Sequence, residues 1–353
     1  MGVPNKIWNL PGRYIYMPVI KNKLSIDAEI ESLSKLDYSL LDKPMSIAQQ
    51  GIVEGFAVSI DMLNQKLTKH LLLGIAAGIF VALAYIGCFY GAYQVPNASV
   101  RKIIFAAIFP AAIIFIVFIG GGFLTAYMFS TIPMLKKNLG IKPYLIGLGG
   151  IYLGNFLGQF IFMLLWFAAG AMNDQKLSQF IFEFALGKMD GTGAELISMM
   201  GKNIDKLSSS TLLKTFTYCF FSAVICNFLV QQSVPVSRST KDKLALIILL
   251  SIIIFMFVIS GLQHSVANLF LMIWLLMANW WEIEVVIINN LQTFENVKIN
   301  SQLAWYFFGL NIIPAILGNF VGGISMGGLL YWINKEKVDL KLAQLRLQDL
   351  QKS

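Results

Sequence analysis

Apolar and polar positions along this chain alternate on the scale of a lipid bilayer. Uncharged, apolar runs extend from Leu71 to Tyr93, Ile103 to Leu135, Pro143 to Met172, Thr215 to Val236, Leu244 to Trp281 and Leu303 to Ile333. About 20 apolar residues in a helix cross the roughly 30 Å hydrocarbon core, so these runs predict six membrane spans. The second and fifth are too long for one simple helix, and each is interrupted. Gly120-Gly121-Gly122, followed by Phe123-Leu124-Thr125, breaks the second. Ser260-Gly261-Leu262-Gln263-His264-Ser265-Val266-Ala267-Asn268 breaks the fifth. Irregular backbone at membrane depth is tolerated only when it is buried in protein or lines a polar cavity. An intramembrane ionisable residue marks a functional site by default. The pattern therefore predicts two half-helix pairs around a polar pathway, with His264 beside it.

Outside the spans, residues 1–45 are unpatterned, with Pro4, Pro11, Pro18 and Pro44, and read as an irregular arm. From 46 to 66, Ile47, Ile52, Phe56, Ile60 and Leu63 recur at helical spacing among Gln49, Glu54 and Asp61. This predicts an amphipathic helix, either at the membrane surface or packed on the bundle. Residues 173–210 read as a polar loop with a turn at Asp190-Gly191-Thr192-Gly193. After the last span, Val338, Leu342 and Leu345 share one face of a charged helical tail. The division is an arm at 1–66, a six-span transport domain at 67–334 and a tail at 335–353.

Composition agrees with a polytopic membrane protein: 57% of the 353 residues are hydrophobic and 13% are charged. The net charge of +8 comes from basic residues flanking the spans and does not require nucleic acid. Lys66, Lys69, Lys136, Lys137, Lys142, Arg238, Lys241, Lys243 and the tail lysines collect on one side. By the positive-inside rule both termini are then cytoplasmic and the protein is a multi-pass protein of the cell membrane. Cys88, Cys219 and Cys226 lie in apolar runs without metal-ligand spacing and read as core residues. No nucleophile–base pair, metal cluster or phosphate loop points to an enzyme, a metal or a cofactor.

The chain also repeats itself. Leu153-Gly154-Asn155-Phe156-Leu157-Gly158 in the third span returns as Leu317-Gly318-Asn319-Phe320-Val321-Gly322 in the sixth. Each string follows a broken span. With three spans per half, the halves face opposite ways, and inverted repeats with paired broken helices place the permeation site between the breaks. The expected fold is an all-α membrane protein of six helices in two inverted three-helix repeats. Aligning the breaks by their glycines pairs Gly121 with Gly261 and Thr125 with Ser265.

Over about residues 45–335 the chain resembles the formate/nitrite transporter family. The resemblance rests on Ser260 to Phe270, the Gly122–Thr125 break, Asn227-Phe228-Leu229-Val230 and Ile313 to Gly323, in matching order and spacing. It implies an aquaporin-like homopentamer in the lipid bilayer, with one pore per protomer, passing small monovalent anions or their acids. Formate, nitrite, lactate, acetate and hydrosulfide belong to that class. It further implies that His264 is the central pore histidine and that Thr125 is the threonine of the first break, preceded by the constricting pair Phe123 and Leu124. Phe109, Ile113 and Phe257 fall at the family's apolar constrictions, and Asn227 and Asn319 at its asparagines around the breaks. The family's vestibule lysine corresponds to either Lys206 or Lys214. The chain departs from the family pattern at Gly122 and Gln263, which stand where acidic residues are usual.

A bare carboxylate in a narrow apolar passage meets a large desolvation cost. Hydroxyl, imidazole and half-helix N–H donors can offset it, or a proton can neutralise the anion. Histidine, with an unperturbed pKa of about 6.5, suits either task. His264 could also serve as an orienting hydrogen-bond partner within the break. The expected function is transport of small monocarboxylates or monovalent anions, with a proton, through a pore centred on His264. The alternatives are a hydrosulfide or other inorganic anion channel and, lacking the two Asn-Pro-Ala boxes, a neutral-solute aquaporin-type pore.

Overall fold

A computed structural model of the chain describes residues 23–189, 208–288 and 294–352. The turn expected at 190–193, Lys206 and the first 22 residues of the arm lie outside the described residues. The arm contributes α1 (Lys23–Ser34), α2 (Ser39–Asp42) and α3 (Ile47–Leu63). A capping box starts α3: the Ser46 hydroxyl accepts from Gln49 N–H, and the Gln49 amide oxygen accepts from Ser46 N–H, both at 3.2 Å. Of the two placements open to this helix, the structure takes packing on the body. Val53, Phe56 and Leu63 are buried, and Phe56 stacks on Phe129 with ring centroids 4.3 Å apart.

Next come α4 (Leu67–Ala92), α5 (Ala98–Ile108), α6 (Ala111–Phe118), the short helices α7 (Leu124–Tyr127) and α8 (Thr131–Leu135), and α9 (Ile141–Ala168). Among the described residues five stretches are long and apolar enough to cross a membrane: Leu67–Ala92, Ala98–Phe118, Ile141–Ala168, Ser209–Ser239 and Ser301–Ile333. The second run was expected as one broken span starting near Ile103, but its part before the break is itself 21 residues long. Asn97 sets the earlier start by accepting from Ser99 and Val100 N–H, and the cap, not the charged pair Arg101-Lys102, defines the helix end.

The polar stretch 173–210 is not simply a loop: α10 (Gln175–Gly187) forms within it. Asp174 caps it through Lys176 and Leu177 N–H, and Leu177, Phe180, Ile181 and Ala185 bury one face. The polar residues that suggested a loop, such as Lys176 and Glu183, are the exposed face of an amphipathic helix.

The second half holds α11 (Ser209–Val230), α12 (Ser233–Ser239), α13 (Lys243–Ile259) and α14 (Ala267–Trp280). An antiparallel hairpin follows, β1 (Glu284–Ile288) with β2 (Phe294–Lys298), in register Glu284 to Lys298. Sequence reading did not anticipate it. The Gln179 amide closes the free edge of β1, donating to Val286 O at 3.0 Å and accepting from Val286 N–H at 2.8 Å. The last span is α15 (Ser301–Phe307), a π-helical turn at Phe308–Ile312 and α16 (Ile313–Ile333); α17 (Lys335–Lys352) is the tail. Val338 and Leu342 on α17 are buried in a small core with Ile52, Val53 and Tyr331.

The repeated glycines serve close helix contact. A Cβ on Gly154 or Gly158 would meet the backbone of Leu71 or Ile75 on α4. One on Gly318 or Gly322 would meet Phe220 or Val224 on α11. These two helix pairs carry the asparagines that organise the site.

Candidate functional site

Both interruptions are present. After α6 the backbone leaves the helix until Leu124, with Gly120 at φ +117; after α13 it does so until Ala267, with Gly261 at φ +67. Those dihedrals suit glycine, which has no Cβ to clash. Breaking a helix frees backbone groups that must find partners when buried. One asparagine serves each break. Asn155 on α9 donates to Gly74 O at 3.1 Å and Gly122 O at 2.8 Å, and its Oδ1 accepts from Leu124 N–H at 3.2 Å. Asn319 on α16 donates to Ala223 O at 2.9 Å and Gln263 O at 3.2 Å, and its Oδ1 accepts from Ser265 N–H at 2.9 Å.

These matched bonds correct the sequence alignment of the breaks. Gly122 pairs with Gln263 and Leu124 with Ser265, which puts Phe123 opposite His264 and removes the expected Thr125–Ser265 pair. Glycine identity alone is a poor register marker here: the first break offers three consecutive glycines, and only Gly120 takes the left-handed turn that Gly261 takes in the second, each two residues before the clamped carbonyl.

Asn227 has a supporting role: its Nδ2 donates to Asn319 O at 2.6 Å and approaches Met128 Sδ at 3.7 Å. It ties α11 to α16 and to the segment after the first break. Gln159, one turn beyond Asn155, donates to Val266 O at 3.0 Å and links α9 to the second break.

The breaks meet at Thr125 and His264, whose Oγ1 and Nε2 are 3.0 Å apart. His264 Nδ1 accepts from Ala267 N–H at 3.1 Å, so that nitrogen carries no proton. The neutral ring then bears its hydrogen on Nε2 and donates to Thr125, leaving the threonine hydroxyl hydrogen free for another acceptor. His264 also packs edge-on to Phe123, centroids 5.9 Å apart, and against Phe257 at 5.6 Å.

Phe109, Ile113, Phe123, Phe257 and His264 line one small chamber of about 20 Å³, closed otherwise by apolar side chains including Val81, Val230 and Ile254. That is room for about one water. Leu124 is buried but does not line it; Thr125 reaches it only through His264. Beyond the chamber is a vestibule of about 410 Å³. Phe109 and Phe257 line both cavities, with centroids 6.2 Å apart, and so form the partition between them.

Lys214 is exposed on α11 and away from this partition. The lysine that reaches the break is one the sequence reading passed over, Lys188 at the end of α10. Its Nζ donates to Gly261 O at 3.2 Å and Leu262 O at 3.1 Å. Its carbonyl accepts from Gln263 Nε2 and Asn311 Nδ2, both at 2.9 Å. The available signal was the Asp174 cap followed by an amphipathic repeat, which carries Lys188 inward at the helix end. Asn311 was also missed. It lies in the π-helical turn and donates to Gln263 Oε1 at 3.0 Å, and its Oδ1 accepts from Asn268 Nδ2 at 2.7 Å. Such turns often mark functional positions.

Comparison with known proteins agrees in sequence and in fold. The chain is 27% identical over 307 residues to the uncharacterized transporter YrhG of Bacillus subtilis (strain 168), covering 86% of this chain and 97% of the relative. It is 23% identical over 278 residues to the formate channel FocA of Escherichia coli (strain K12), covering 76% of this chain and 88% of the relative. A solved structure described as a pentameric formate channel with formate bound superimposes with a TM-score of 0.59 at 21% identity, covering 76% of this chain and 98% of that one. The family model for formate/nitrite transporters matches residues 52–333, a segment that contains both breaks and the chamber between them, and the chain belongs to that family.

Proposed function

We propose that this protein carries small monovalent anions, or the acids they form with a proton, across the cell membrane through a pore centred on His264. The observation that carries this reading is the Thr125–His264 hydrogen bond at an apolar chamber behind Phe109 and Phe257. The chamber admits only a small solute, and among the described residues that line it His264 is the one polar side chain. An anion entering there loses water and needs donors in exchange. In this reading His264 at the chamber wall and Thr125 behind it are the donors, exchanging their mutual hydrogen bond for one to the anion. Lys188 fills the part of the vestibule lysine and raises the local anion concentration before the partition. Formate is the first substrate to test, since relatives of this chain are formate channels.

In this reading the helices form six spans in two inverted halves, 67–334, with the arm and tail on the cytoplasmic side. The matched hydrogen bonds of Asn155 and Asn319 support the two-fold relation, and the lysine distribution supports the orientation. Five copies assemble, as in the related formate channel.

Proton transfer from the neutral His264 ring would leave an imidazolate, so a proton-coupled cycle must first protonate Nδ1 and break its bond to Ala267. That bond favours a second reading, in which His264 only donates from Nε2 and the anion passes without a proton. Uptake of labelled formate and lactate into proteoliposomes, with internal pH and membrane current recorded, separates the two. Entry with acidification supports acid transport, and entry with current and no acidification supports an anion channel. If neither acid enters, nitrite and hydrosulfide are tested next, and absence of flux with all four overturns the proposal.

A further inference from the structure

The vestibule is about 410 Å³ against about 20 Å³ for the chamber, far more room than a small anion needs. Its size falls within the roughly 300–1,000 Å³ typical of sites for larger organic ligands. Its lining is also unusual for a simple funnel. Three cations, Arg101, Lys102 and Lys188, share it with a wall of rings, Phe105, Phe180 and Phe184. Phe105 and Phe184 are stacked with centroids 4.8 Å apart, and the Arg101 guanidinium lies 4.8 Å over the Phe180 ring. Among the described residues none of the three cations is paired with a carboxylate. Glu183, the acidic residue of the lining, accepts from Gln179 at 2.9 Å instead.

We infer that this vestibule is a binding site for aromatic carboxylates, which block the pore without crossing it. The inference rests on the pore reading above for its effect on flux, but binding itself does not depend on it. A flat arene is complementary to the phenylalanine wall, since stacked and edge-on ring pairs are favourable beyond their buried area. Its carboxylate finds the Lys102 ammonium group and the third N–H of Lys188, whose other two go to the Gly261 and Leu262 carbonyls. An arene of two fused rings cannot follow a small anion past Phe109 and Phe257 into a chamber that holds about one water. Small substrate and aromatic acid therefore compete for the same cations, and only the former passes.

The test is a calorimetric titration of the purified full-length protein in detergent with 1-naphthoate, and with 1-naphthalenemethanol as the neutral analogue. Naphthoate is expected to bind at least tenfold more tightly than the alcohol. Lys102→Gln and Phe184→Ala should each weaken it at least fivefold. Lys102 is exposed, so its variant keeps the test valid even if Phe184→Ala fails to fold. In proteoliposomes naphthoate should stop labelled-substrate uptake while not accumulating itself. Equal binding of acid and alcohol, binding unchanged in both variants, no binding, or accumulation of naphthoate inside the vesicles would each overturn the inference. Naphthoate binding in a protein that moves no small anion would instead overturn the transport reading and leave this site standing.

Discussion

Asn155 and Asn319, 164 positions apart in sequence, each bind one carbonyl of a neighbouring long helix and clamp one carbonyl and one N–H of a helix break. In both cases the clamped carbonyl and N–H are two residues apart. The side-chain amide thus stands in for the helical bonds that each break gives up, and it holds Phe123 and His264 in matching positions.

Replacing either asparagine with leucine should therefore cost more than an ordinary core substitution. Each change strands several buried backbone groups, at about 1–3 kcal/mol for each group left unpaired. Thermal unfolding in detergent is expected to show a large loss for Asn155→Leu and a comparable loss for Asn319→Leu. A mild effect at one of them would mean that the two clamps are not equivalent.

Thr125→Val keeps the shape and removes the acceptor of His264 Nε2–H. Uptake of the transported anion should fall roughly tenfold, equivalent to about 1.4 kcal/mol, while Thr125→Ser retains most activity. His264→Ala should remove uptake and any pH dependence it carries. Flux–pH profiles of the three variants check this, and an unchanged His264→Ala profile contradicts a histidine-centred pore.

The positions where the family usually carries acids differ in their tolerance for one. At Gly122 a Cβ would lie 2.8 Å from Ile151 Cδ1 and 2.9 Å from Tyr127 Cε2, so a carboxylate does not fit without repacking. At Gln263 the space exists, but its Nε2 donates to Lys188 O at 2.9 Å, a bond that a carboxylate cannot make. Gly122→Glu is expected to prevent assembly, seen by size-exclusion chromatography. Gln263→Glu should assemble, with a lower melting temperature and altered substrate uptake.

Lys188→Met keeps the length of the side chain and deletes both bonds to the second break. Uptake at low substrate concentration should drop at least tenfold, with a smaller loss near saturation, because a vestibule cation raises local anion concentration. Equal loss at all concentrations would assign Lys188 to holding the break alone.

Much of this protein was legible in the chain itself. A bilayer demands long uncharged runs, and irregular backbone inside such runs is costly enough that glycine, amide and histidine residues announce the breaks directly. The repeated Gly-Asn-Phe strings were visible for the same reason: close helix contact needs glycine, and freed backbone needs an amide. What the tertiary structure decided was register and depth. The pairing of Phe123 with His264 depends on which carbonyl each asparagine reaches, and among the three consecutive glycines of the first break the sequence does not say which one takes the left-handed turn. Lys188, Asn311 and α10 escaped sequence reading because an amphipathic helix and a polar loop have similar composition. Only folding α10 against the second break shows that its terminal lysine faces inward and binds Gly261 and Leu262 carbonyls.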